Sequence, residues 1–159
     1  MIKVIDGDLF STTAPIICHQ VNCQGVMGSG VAKQVREKYP VAYKRYVEAC
    51  DKNDRRSLLG KVQAVKVASE PDRYIANMFT QFTYGYDGNK YTSVDNLTYA
   101  FRIVAFAAKS SGIDTIAAPW KIGCVRGGAN WDEVYEILEM IFCKENPDII
   151  LELWRLDKG

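Results

Sequence analysis

The chain has 159 residues, 48% of them apolar and 25% charged, which suits one globular domain with a sizeable core, and no second domain is expected. Its formal net charge of +1 excludes bulk capture of nucleic acid or of an anionic membrane, so any phosphate must be recognised locally. No apolar run approaches the roughly 18 residues of a transmembrane helix, and no signal-like segment opens the chain, so a cytoplasmic protein is expected.

In chain order, Ile2 to Ile5 reads as a first strand, stopped by Asp6-Gly7-Asp8, and Ile16 to Val21 as a second. Apolar positions Val31, Val35 and Tyr39 keep helical spacing from Gly30 to Lys38. Pro40 then opens a second helix through Ala42, Tyr43, Tyr46, Val47 and Cys50. Residues 51–57 read as a solvated, charged connection. Lys61 to Val67 alternates as a half-buried strand, and Tyr74 to Phe79 is expected to pair with it antiparallel. Thr80 to Tyr91 reads as a mobile loop. The helix after it carries the apolar stripe Val94, Leu97, Phe101, Val104, Ala105 and Ala108 and ends at Ser110-Ser111-Gly112.

Thr115 to Ala118 reads as a buried central strand feeding a glycine-bearing loop. Asn130, with Glu133 three residues on, should cap a helix through Trp131, Val134, Ile137, Leu138, Ile141 and Phe142, and Ile149 to Trp154 should close the sheet. This alternation predicts a three-layer α/β/α domain with a mixed central sheet, whose ligands bind at the carboxyl ends of the strands.

Two loops carry the chemistry. The first runs from His19 through Asn22, Gly25, Gly28 and Gly30 into a helix, with the chain's only histidine at its entrance. The second spans Pro119 to Ala129 and contains Gly123, Gly127 and Gly128. Glycine lets backbone amides approach an anion, and a helix N-terminus points further amides at it. Micromolar affinity requires about 8 kcal/mol, whereas one charge-assisted hydrogen bond supplies roughly 1.5 to 3, so amides of both loops are needed on one diphosphate.

Other readings fail on spacing or physics. The order of glycines is not that of a dinucleotide fingerprint, and no phosphate loop of the G-x-x-x-x-G-K-[ST] type is present. Cys50-x5-Arg56-Ser57 formally matches a cysteine-phosphatase signature, but its interior has no glycine and two carboxylates, and Cys50 falls at a helix C-terminus, where the dipole opposes a thiolate. Five cysteines (Cys18, Cys23, Cys50, Cys124, Cys143), odd in number and without a C-x-x-C pair, read as reduced, buried thiols, and no metal-ligand cluster is visible. Asp8 either accepts from an adenine amino group or caps the turn after the first strand. Tyr84, Tyr86 and Tyr91 either stack on a ligand or fold over the core.

Gly7-Asp8-Leu9, the run His19-x-x-Asn22-x-x-Gly25-x-x-Gly28-x-Gly30-Val31-Ala32, the break at Tyr39-Pro40, and Ile122-Gly123-Cys124 with Gly127-Gly128-x-Asn130-Trp131 resemble the macrodomain family. The similarity covers nearly the whole chain, which then forms a single macrodomain over residues 1–159. It is greatest to the branch holding the ADP-ribose 1″-phosphate phosphatases and the terminal ADP-ribose protein glycohydrolase. The resemblance implies a small-molecule ligand, ADP-ribose or ADP-ribose 1″-phosphate, with no cofactor, no metal, no membrane, and nucleic acid only as a modified substrate. It implies that Asp8 and Leu9 meet the adenine end. Gly25, Met27, Gly28, Gly30, Val31 and Ala32, together with Gly123, Cys124, Val125, Arg126, Gly127, Gly128, Ala129 and Asn130, would enclose the diphosphate and distal ribose.

Glycohydrolases of this branch, including antitoxin macrodomains acting on ADP-ribosylated DNA, use a lysine just after the strand that ends here at Phe79-Thr80. This chain has Gln81, which cannot form a Schiff-base-like adduct. The expected activity is therefore removal of the 1″-phosphate from ADP-ribose 1″-phosphate. His19 and Asn22 are the expected catalytic pair, His19 as general acid or ribose-hydroxyl donor and Asn22 holding the ribose. The alternatives are a non-catalytic ADP-ribose reader and a hydrolase that frees ADP-ribose from protein or nucleic acid without a lysine.

Overall fold

Six strands pair into one sheet in a computed structural model, which describes residues 1–156. They are β1 (Ile2–Asp6), β2 (Ile16–Val21), β3 (Val62–Ala68), β4 (Arg73–Phe79), β5 (Thr115–Pro119) and β6 (Ile150–Arg155), in the order β1-β6-β5-β2-β4-β3. Only β3 runs antiparallel to its neighbour, so the sheet is mixed. In β2, β4 and β5 consecutive residues are buried, as expected of strands covered on both faces, whereas edge strand β1 is largely exposed.

The helices are α1 (Gly30–Lys38), α2 (Pro40–Lys52), α3 (Arg55–Leu58), α4 (Val94–Ser110) and α5 (Trp131–Glu139), the last winding on as a π-helix over Met140–Glu145. Pro40 cannot donate to α1 and supplies the helical φ at the start of α2, which explains two helices in place of one. α4 and α5 cover one face of the sheet, where Phe101 meets Phe142 edge-on at 6.0 Å. α1, α2 and α3 cover the other, with Tyr46 stacked on Phe79 at 5.7 Å. Burying each such ring contributes roughly 1.5 to 3 kcal/mol.

The expected three layers are present, with two corrections. β6 does not close the sheet: β1 pairs parallel outside it, Ile2 opposite Leu151, because a short apolar run reads the same whether or not another strand lies beyond. Residues 51–57 are mostly helical, since α2 extends to Lys52 and Asp54 accepts from Arg56 N at 3.1 Å to start α3, which Leu58 anchors in the core.

β2 and β5 are neighbours although about a hundred residues separate them. The chain leaves β2 for α1 on one face and β5 for α5 on the other. Their carboxyl ends therefore flank the switch point of the sheet, where a crevice opens because neighbouring connections diverge.

Candidate functional site

Both glycine loops line that crevice, a cleft of about 290 Å³ bounded by Gly28, Ser29, Gly30, Val31 and Ala32 on one wall and Gly123, Val125, Arg126 and Gly127 on the other.

The first loop is shaped by a residue outside it. Tyr46 on α2 is fully buried; its hydroxyl accepts from Gly25 N at 3.1 Å and Val26 N at 3.0 Å and donates to Asn22 Oδ1 at 2.7 Å. Asn22 Nδ2 donates to Val26 O at 2.8 Å. The loop is thus tied to α2 and to itself, and one Nδ2 hydrogen of Asn22 is left for a ligand oxygen.

The second loop is clamped by Thr92, just before α4. Thr92 Oγ1 donates to Gly123 O at 2.7 Å and accepts from Gln20 Nε2 at 2.9 Å, while Thr92 N donates to Gly127 O at 2.9 Å. The approach is too close for side chains: a Cβ on Gly127 would lie 1.9 Å from Thr92 Oγ1, and one on Gly123, held at φ +78°, would lie 2.8 Å from Gln20 Oε1.

The outcome is a concentration of unused donors. Ser29 provides no side-chain cap for α1, and among the described residues the amides of Gly30, Val31, Ala32, Val125, Arg126 and Gly127 make no hydrogen bond. The lining of the described cleft includes Lys121 and Arg126 and no carboxylate. Amides at a helix N-terminus opposite a second set of amides, with two cations nearby, favour a diphosphate-like anion. A second compartment of about 270 Å³ shares Val31, Trp120, Lys121 and Val125 with the first and is bounded by Asp8, Leu9 and Trp154. An elongated ligand with a central anion and an aromatic end fits this pair of compartments.

Several residues singled out from sequence support the cleft without lining it. Met27 is 1% exposed in the core beneath the first loop, and Gly25 spends its amide on Tyr46. Ala129 N closes onto Gly123 O at 3.1 Å, Gly128 packs on the backbone of Asn89 and Lys90, and Asn130 caps α5 by accepting from Glu133 N at 3.1 Å. The Cys124 Sγ donates to Ile122 O, and burial pushes its thiol up to about 11, so it is no nucleophile at neutral pH. Asp8 does cap the turn after β1, accepting from Phe10 N at 3.0 Å, and it also faces the second compartment. Of the five cysteines, Cys143 is exposed and Cys124 half-buried, which corrects the expectation that all are buried.

His19, an expected catalytic residue, packs beneath the cleft. It belongs to the floor of the cleft, but it is 1% exposed, and burial lowers its pKa to about 4 against the opposing Asn77 hydrogen bond. Burial keeps the ring neutral near pH 7, and because Nε2 is 2.6 Å from Asn77 Oδ1, which only accepts, its hydrogen is directed to Asn77. No local pattern announces this pairing, because Asn77 lies on a neighbouring strand. Gln81 does line the cleft, and its Oε1 accepts a short hydrogen bond from Gln20 Nε2.

The depressed histidine carries a stability prediction. Between pH 6.5 and 4 the unfolded chain protonates His19 and the folded one does not, so stability falls with pH, by up to about 3 kcal/mol at pH 4 from this group. Urea unfolding of wild type and His19→Gln at pH 7, 5.5 and 4 is expected to show the steeper loss in wild type; parallel slopes would refute it.

Tyr86 spans the mouth of the cleft. Its ring lies 4.9 Å from the Arg126 guanidinium, and its hydroxyl donates to Ser29 Oγ at 3.4 Å, so one side chain touches both walls. An exposed cation–π pair contributes about 0.5 to 1 kcal/mol. Tyr86→Ser is therefore expected to speed ligand release roughly two- to five-fold in stopped flow, with little change in melting temperature.

A crevice walled by uncapped backbone amides, at the switch point of a mixed sheet between two helical layers, defines an α/β domain with a site suited to an anion. Comparison with known proteins gives the family. The macro domain model matches residues 18–138, and the chain belongs to the macro domain family. An ADP-ribose 1″-phosphate phosphatase of Meyerozyma guilliermondii is 36% identical over 97 residues, 53% of this chain and 55% of that protein. A DNA ADP-ribosyl glycohydrolase of Mycobacterium tuberculosis is 28% identical over 151 residues, 94% of this chain and 40% of that protein. The chain thus spans about half the length of the curated relatives it matches. Among solved structures, the macrodomain of M. tuberculosis DarG superposes with a TM-score of 0.81 at 24% identity, covering 99% of both chains. Thermosipho africanus DarTG, solved in complex with ADP-ribose, does so with 0.80 at 20% identity, covering 99% of this chain and 42% of that one. Among the described residues no helix is long and apolar enough to cross a membrane.

Proposed function

We propose that the protein binds ADP-ribose in the cleft and removes the terminal phosphate of ADP-ribose 1″-phosphate. The observation that carries the reading is the convergence of unbonded amides from the N-terminus of α1 and from residues 125–127 on a lining with two cations and no carboxylate. The diphosphate lies between these walls, the adenine end lies in the compartment of Asp8 and Trp154, and the distal ribose lies toward Asn22 and Gln81. The spare Nδ2 hydrogen of Asn22 holds a ribose oxygen. Amides of Val125 to Gly127 stabilise charge on the departing phosphoryl group. Water attacks phosphorus, the bond from phosphorus to the ribose oxygen breaks, and that oxygen takes its proton from solvent, since His19 is neutral and its Nε2 hydrogen is held by Asn77. The relatives named as ADP-ribose 1″-phosphate phosphatases support this assignment, as does the glutamine at position 81.

Purified protein incubated with ADP-ribose 1″-phosphate is expected to release inorganic phosphate, and calorimetry is expected to show ADP-ribose binding. Binding with no release above buffer would leave a reader without turnover. A second reading is favoured by the glycohydrolase relative that aligns over 94% of the chain: release of ADP-ribose from modified nucleic acid or protein by a route without lysine. Loss of label from ADP-ribosylated DNA or protein, abolished by Asn22→Ala and retained in Gln81→Ala, would establish that activity instead.

A further inference from the structure

The imidazole of His19 ends a chain of side-chain amides that starts at the surface of α2. Gln63 on β3 donates from Nε2 to Arg45 O at 3.0 Å, which turns its Oε1 inward. That oxygen accepts from Asn77 Nδ2 at 3.1 Å, and Ala42 O accepts from the same nitrogen at 3.4 Å. With both acceptors on its nitrogen side, the Asn77 amide presents Oδ1 to His19 Nε2 at 2.6 Å. A carbonyl oxygen only accepts, so the hydrogen sits on Nε2, and Nδ1 carries a lone pair. Asn77 is wholly buried, and His19 Nδ1 is itself buried and has no hydrogen-bond partner. Leaving such an acceptor unpaired costs about 1 to 3 kcal/mol, so a hydrogen-bond donor reaching it would be favoured.

We infer that Asn77, oriented by Gln63, is a positioning residue that fixes His19 as its Nε2–H tautomer, so that the imidazole meets a ligand in the cleft as an acceptor for a hydroxyl and not as a proton donor. The ligand of matching chemistry is a sugar hydroxyl, which donates where a phosphate oxygen cannot. The step to a ligand rests on the ADP-ribose reading above; the tautomer does not. No charged side chain of α2, β3, β4 or β5 acts on the ring, whose surroundings are burial and the Asn77 amide.

His19 is the only histidine, so a long-range proton–nitrogen spectrum of uniformly labelled, untagged protein reads this ring alone. The expected spectrum shows a protonated Nε2 and a bare Nδ1, unchanged from pH 8 to 5. Saturating ADP-ribose, with binding verified by calorimetry, is expected to shift Nδ1 toward the position of a hydrogen-bonded acceptor. An Nδ1–H tautomer or an imidazolium at neutral pH overturns the inference, and so does an Nδ1 signal that ignores bound ADP-ribose. Absence of any calorimetric heat instead overturns the ADP-ribose reading, while the tautomer is still decided in the free protein. In Gln63→Leu, at a half-buried position, Asn77 keeps only the 3.4 Å contact and the spectrum is expected to show both tautomers. In Asn77→Asp the carboxylate is expected to keep the ring protonated at neutral pH and to lower ADP-ribose affinity about ten-fold; a ring still neutral at pH 7 in that variant counts against the assignment.

Discussion

Gly127→Val is expected to abolish measurable turnover and to weaken ADP-ribose binding at least about 100-fold, while the domain still folds. The Cβ alone would lie 1.9 Å from Thr92 Oγ1 and 2.5 Å from Gly123 O, and backbone cannot yield as a flexible side chain does. The loop must move by about an ångström, a displacement that costs about a hundred-fold in a positioned site. Overpacking of this kind costs about 1 to 3 kcal/mol of stability. Gly28→Ala is the contrast, because its Cβ meets only Val26 Cγ1 at 3.4 Å, and its melting temperature should match wild type. Calorimetric titration beside thermal melts checks both, and unchanged ADP-ribose affinity in Gly127→Val would remove the second loop from the site.

Tyr46→Phe should have the second largest effect although it deletes one buried atom that does not itself line the cleft. That oxygen joins Gly25 N, Val26 N and Asn22 Oδ1, and burial holds the phenol in its protonated form. Phenylalanine fills the same space and leaves three polar groups short of a partner, at about 1 to 3 kcal/mol each when nothing relaxes. Allowing for relaxation, a loss of about 2 to 4 kcal/mol is expected, or roughly 4 to 16 °C in melting temperature. ADP-ribose affinity should fall together with stability, because the same hydroxyl shapes the loop. Tyr43→Phe, one turn earlier, should change neither. A Tyr46→Phe protein that melted and bound like wild type would show that the loop holds its shape unaided.

Local pattern revealed those parts of the molecule that depend on local pattern. The helices α1, α2, α4 and α5, the strands, the Pro40 boundary and the Asn130 cap follow from periodicity and from residues adjacent in sequence. The position of β6 did not, because strand order is a property of distant segments. The same division runs through the site. Glycines and a helix start announced the two walls, whereas their braces, Tyr46, Thr92 and Gln20, and the partner of His19, Asn77, come from other elements. Tyr46 did leave a trace, a hydroxyl on the buried stripe of a helix, which must find a partner somewhere. Asn77 and Thr92 left none. The partner of His19 is hidden for the same reason: a histidine beside a glycine loop suggests a proton donor, and the acceptor for its hydrogen lies on the strand next to it.

The adjacency of β2 and β5 has a consequence for assembly. Half of the pocket is made early in the polypeptide and half late, and neither half can grip a ligand until the intervening ninety or so residues have folded back to bring the two strands together. Ligand engagement is therefore a report on the whole domain. Bound nucleotide should slow amide hydrogen exchange in α2 and α4 as well as in the loops it touches, and no fragment cut between β4 and α4 should retain half the affinity.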